Sequence, residues 1–75
     1  MNLTEVNYGK EYTITKVKAD EPLKGRLLSF GFAKGNTVVV TEYTLTKQTY
    51  DVKIEDSQVA LRSEEAMSIF VEETK

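Results

Sequence analysis

Four carboxylates, Glu42, Asp51, Glu55 and Asp56, are the side chains here most suited to chemistry. Convergent carboxylates hold hard cations when about six to eight oxygens meet, and a carboxylate pair can divide acid and base work. The spacing supports neither use. Glu55 and Asp56 are adjacent, and neighbouring residues of a strand point to opposite faces. No ligand motif links the other two, so all four read as solvated strand-face and turn residues. The chain has no His and no Cys, which removes the commonest general base, the commonest transition-metal ligand and every thiolate. Gly25, Gly31 and Gly35 do not form a phosphate loop of the G-x-x-x-x-G-K type. The expectation is a protein that is not an enzyme and that carries no cofactor and no metal site.

What remains is contact chemistry. Arg26 offers a planar guanidinium, which anchors interfaces well. The same side chain could equally pair with a helix carboxylate such as Glu21, or cover the core with its stem. Arg62 has the same two readings, with Glu64 and Glu65 beside it. Phe32 follows a glycine that should stop a helix, and fits either core or surface. Tyr43 and Leu45 flank the connection after a strand, where exposed apolar side chains would suit a partner. The tentative partner-binding set is Arg26, Phe32, Tyr43 and Leu45. Tyr12, Phe30, Tyr50 and Phe70 are assigned to the core by alternation or helical face.

The residues that must position this set fall into short elements. Residues 11–18 read as a strand with Tyr12 and Ile14 on one face; Val17 is out of phase by one, so a bulge near Thr15 or Lys16 is expected. Asp20 and Glu21 precede Pro22 at a helix start, where a carboxylate can cap or complement the positive end. Leu23, Leu27 and Phe30 follow at i, i+4 and i+7. Gly31 then fits the left-handed position after a helix, and Gly35 a tight turn feeding a strand. Thr37 to Tyr43 is a strand with Val38 and Val40 inward. Residues 49–55 alternate Tyr50, Val52 and Ile54 with Asp51, Lys53 and Glu55. Asp56 and Ser57 turn the chain into a short strand at 58–62. Ser63 reads as an N-cap, with Ala66 where the reciprocal Glu of a capping box would stand. Residues 69–71 close the sheet, and residues 72–75 should fray.

The architecture expected is mainly β: a small, partly open barrel of about five strands, which limits exposed edges, with two short α-helices at about 21–30 and 64–69. The 75 residues make one domain, 1–75. Net charge is −2, from 12 acidic and 10 basic residues, without the basic excess that phosphate backbones select. No apolar run approaches the roughly 18 residues of a membrane span, so no membrane insertion is expected. The first residues lack the charged and apolar regions of a signal peptide, and a cytoplasmic protein is the default.

Two stretches carry a family resemblance. Arg26-Leu27-x-x-Phe30-Gly31-Phe32-x-x-Gly35-x-x-Val38-x-Val40, followed by Val59-Ala60-Leu61-Arg62-x-x-Glu65-Ala66-x-x-Ile69-x-Val71, resembles the ferrous iron transport protein A (FeoA) domain over about residues 8 to 71. The resemblance implies an SH3-like barrel with added helices. It implies a small cytoplasmic accessory of bacterial ferrous-iron uptake, acting by protein–protein contact on the membrane transporter FeoB and its cytoplasmic G domain. A related domain forms the C-terminal part of some metal-dependent repressors. The family often has proline where this chain has Leu45, and glycine near Asp56, which leaves those two turns open. The alternative is an SH3-like nucleic-acid-binding or metal-regulator-associated domain. It requires Lys16, Lys18, Lys24, Arg26, Lys34 and Lys47 to gather on one face. Weak self-association through barrel edges is a third reading.

Overall fold

A computed structural model of the chain describes residues 1–43 (Tyr43 by its backbone alone), 46 and 48–74. The elements run β1 (Glu11–Val17), α1 (Leu23–Ser29), β2 (Thr37–Tyr43), β3 (Thr49–Ile54), β4 (Ser57–Arg62), α2 (Ser63–Ala66) and β5 (Ile69–Glu73). All five strands form one antiparallel sheet in the order β4-β3-β2-β1-β5. Inward residues of every strand meet in one buried cluster: Tyr12 and Ile14, Val38 and Val40, Val52 and Ile54, Leu61, then Ile69 and Val71. A single sheet can bring all its strands to one core only by wrapping around it, which is the partly open barrel expected from the sequence. Each fully buried side chain contributes on the order of 1.5–3 kcal/mol.

Local sequence explains most of the register. The β1–β5 ladder shifts between Ile14 and Lys16, the bulge that Val17 requires. A second shift lies between Val40 and Glu42 in β2, where nothing in the alternation announced it. Ile54 faces Ser57, so Glu55 and Asp56 are the two turn residues. Glu55 therefore belongs to the turn and not to the strand, with φ of 54°.

The end of α1 is governed by Gly31, whose φ of +102° is in the left-handed region. Gly31 N–H donates to Leu28 O at 3.0 Å and Phe32 N–H to Leu27 O at 3.1 Å. These are the two hydrogen bonds of a Schellman motif, which brings the second residue beyond the cap over the last inward residue of the helix. Phe32 and Leu27 are accordingly both fully buried. This corrects two expectations together. Phe32 is core and cannot meet a partner. Phe30, assigned to the core by its i+7 spacing, is 38% exposed, because the helix ends at Ser29 and the chain reverses before that face is extended.

Four smaller expectations are also corrected. Neither Asp20 nor Glu21 caps α1 with its side chain; the N-cap is Pro22, which follows a cis peptide bond and whose side chain has no acceptor to offer. Helix α2 covers only Ser63–Ala66, since Ile69 is already paired with Val17 in β5. Its N-cap is Arg62, not Ser63, and the Glu at the third position is present after all: Glu65 Oε1 accepts the Arg62 N–H at 2.9 Å. Residues 72 and 73 do not fray, because Glu72 and Glu73 pair with Thr13 and Tyr12.

The first residues form an element that the sequence did not reveal. Asn2 bridges to Phe70, Leu3 N–H donates to Ile69 O at 3.1 Å, and Val71 N–H donates to Met1 O at 2.8 Å. Leu3 is thereby buried to 1% exposure and joins the core.

Candidate functional site

Helix α1 presents Arg26 and helix α2 presents Glu65. Arg26 Nη1 donates to Glu65 Oε2 at 3.2 Å. The Glu65 carboxylate is nearly buried and spends its other oxygen on the Arg62 N–H. Arg26 thus pairs with Glu65 rather than with Glu21, and tethers α1 to the connection between β4 and β5. Its side chain stays 58% exposed, and its guanidinium carbon lies 5.7 Å from the centroid of the Phe30 ring, within cation–π range. Exposed Leu28 belongs to the same helix. An accessible planar cation resting on an accessible aromatic ring has the chemistry of an interface anchor.

Of the other tentative partner residues, Phe32 is inside the barrel. Tyr43 lies at the end of β2 opposite Tyr50. Leu45 falls outside the described residues, as do Lys47 and the Leu45 turn. Phe70 is half-buried, with Lys16 Nζ 5.9 Å from its ring centroid. Arg62 reaches Glu65 through its backbone N–H.

The acidic residues are dispersed. Glu42 and Asp51 face each other across β2 and β3. Glu55 accepts a hydrogen bond from Asn36 Nδ2 at 3.2 Å, and Asn36 also donates to Gly31 O, bracing the turn after α1. Among the described residues, no three acidic side chains come together as metal ligands.

The basic residues divide. Lys16, Lys18 and Lys24 line one groove between the end of β1 and the start of α1. Arg26 is committed to Glu65, and Lys34 lies in the turn between α1 and β2. Lys10 pairs with Glu73 across β1 and β5. The hydrogen bond to Glu73, helped by its charge, raises the Lys10 pKa above the ordinary 10.5. Among the described residues no helix is long and apolar enough to cross a membrane.

The sequence as a whole matches the FeoA domain model over residues 1–73. The chain belongs to the FeoA family. A Helicobacter pylori relative named as an Fe(2+) transport protein A is 41% identical over 75 residues, covering 99% of each chain. A Porphyromonas gingivalis protein is named as a fusion of Fe(2+) transport protein A and the Fe(2+) transporter FeoB; it is 32% identical over 72 residues, which are 96% of this chain and 8% of that one. The crystal structure of Stenotrophomonas maltophilia FeoA complexed with zinc, described there as a prokaryotic SH3 domain protein, superimposes with a TM-score of 0.85 at 25% identity, over 96% of this chain and 89% of that one. The SH3-like fold and the link to ferrous-iron transport, both expected from the two sequence stretches, are thereby established for this FeoA protein.

Proposed function

We propose that this FeoA protein is a cytoplasmic accessory of ferrous-iron uptake that works by binding the FeoB transporter, at the transporter's cytoplasmic G domain. The observation that carries the reading is the Porphyromonas gingivalis fusion, in which an FeoA-like segment and FeoB share one polypeptide. Covalent linkage raises the effective concentration of two modules that act together. The chain's own residues agree with a role by contact. It has neither His nor Cys, and its exposed features include an arginine over an aromatic ring and a lysine groove.

A binding protein can change a transporter only by holding one of its states more tightly than another. The regulatory step is therefore a difference in affinity for two states of the G domain. Arg26 belongs to the contact surface, together with Tyr43, the last residue of β2, and Leu45. The test is capture of the transporter from native membranes by the tagged protein, paired with ferrous-iron uptake in cells with and without it. Capture and altered uptake are expected. Unchanged uptake with no capture refutes the proposal.

A further inference from the structure

We propose that the groove between the end of β1 and the start of α1 is a docking site for an acidic, partly apolar peptide segment. Its lining is Lys16, Val17, Lys18, Ala19, Asp20 and Lys24, around a volume of about 400 Å³. This rests on the partner reading above for the owner of the segment, and not for the chemistry of the groove.

The charge distribution carries the proposal. The chain as a whole is net negative, yet three of its lysines converge on this one recess, against a single carboxylate. The ion pairs found among the described residues are Lys10–Glu73 and Arg26–Glu65; none of Lys16, Lys18 and Lys24 has a carboxylate within 4.0 Å there. These lysines line the recess without a carboxylate partner of their own, and an incoming carboxylate gains complementary charge contacts there.

The recess is also fixed in place. Lys18 N–H donates to Ser68 O at 2.7 Å, and Lys24 N–H to Asp20 O at 3.0 Å. Val17 and Ala19 are partly buried and pack on the core, so the floor is apolar between charged walls. An apolar side chain flanked by carboxylates fits both features. A phosphodiester backbone would use only the walls, and it needs a longer track of cations than this one. Among the described residues, Arg26 is held by Glu65 and Lys34 does not line the groove.

The test is fluorescence anisotropy with a dye-labelled Glu- and Leu-rich peptide, titrated with the full chain at low and high salt. The groove variant is K18Q/K24Q. The control is K34Q/K53Q, which removes the same charge from exposed residues elsewhere. Saturable binding is expected. It should weaken with salt, fall about tenfold or more in the groove variant, and be unchanged in the control. Equal binding by both variants, no binding at low salt, or tighter binding of labelled single-stranded RNA or of phosphatidylglycerol vesicles than of the peptide overturns the proposal. Peptide binding without transporter capture would leave the groove standing and remove only the assignment of its partner.

Discussion

Truncating Phe32 to Ala separates the two roles this residue could have had. The ring is fully buried beside the end of α1, so its loss leaves a cavity among Leu27 and the barrel residues. Buried Phe→Ala substitutions cost about 3–5 kcal/mol. A domain of this length has a total stability of about 4–11 kcal/mol, at roughly 0.05–0.15 kcal/mol per residue. The substitution thus removes about a quarter or more of the total. With a urea slope of about 1–3 kcal/mol per M, the midpoint should fall by at least about 1 M. Phe30→Ala is the internal comparison. Its ring is 38% exposed, and the change should cost about 1 kcal/mol or less, mostly through the lost contact with Arg26. Both are read by urea titration of tyrosine fluorescence, which suits a chain with four Tyr and no Trp. A Phe32→Ala midpoint within experimental scatter of the wild type, or a larger loss for Phe30→Ala, refutes the burial argument and returns Phe32 to the surface.

Glu65→Ala removes the acceptor of both Arg26 and the Arg62 N–H; discounting the exposed Arg26 side, it should cost about 1–2 kcal/mol, and Glu65→Gln less. Thermal unfolding by circular dichroism checks this, and an unchanged Tm for Glu65→Ala would show that α1 is not tethered there. Gly31→Ala should cost about 1–3 kcal/mol, because φ is +102° and the added Cβ would stand 3.3 Å from Ile54 Cγ1; equal or greater stability in urea would contradict the left-handed turn. Lys10 holds its proton more tightly when folded, so the Lys10–Glu73 contribution is complete below the unfolded pKa and is lost as pH rises through the raised folded value. Glu73→Gln should return Lys10 to about 10.5 in a side-chain NMR titration, and an unmoved titration would dismiss that hydrogen bond as the cause.

Elements with a short period were legible in the sequence. Tyr50, Val52 and Ile54 alternate in β3 as read, and the phase of Val17 located the β1 bulge to within a residue. Gly31 was legible as the helix stop because only glycine takes that φ cheaply. The same glycine defeated the reading of its neighbours. Helical spacing carried Phe30 inward on paper, whereas the reversal after Ser29 turns Phe30 out and Phe32 in. Leu3 gave no periodic signal at all, since its burial depends on hydrogen bonds to residues far along the chain. The site was less legible still. A contact surface is made by exposed side chains from separate elements, and no spacing rule joins Arg26 to Glu65 or Lys16 to Lys24. Arg26 was singled out by residue type, but its true carboxylate partner lay across the fold.

The strand that follows α2 lies against the strand that precedes α1, with Ile14 opposite Val71. This pairing joins opposite ends of the chain, whereas β2, β3 and β4 follow one another as hairpins, so the β1–β5 contact is the slow one to find during folding. On a ribosome, β1 has β2 on one side early, but its other side stays bare until residues 69–73 emerge. The flank of β1 is therefore sealed only when β5 docks against it.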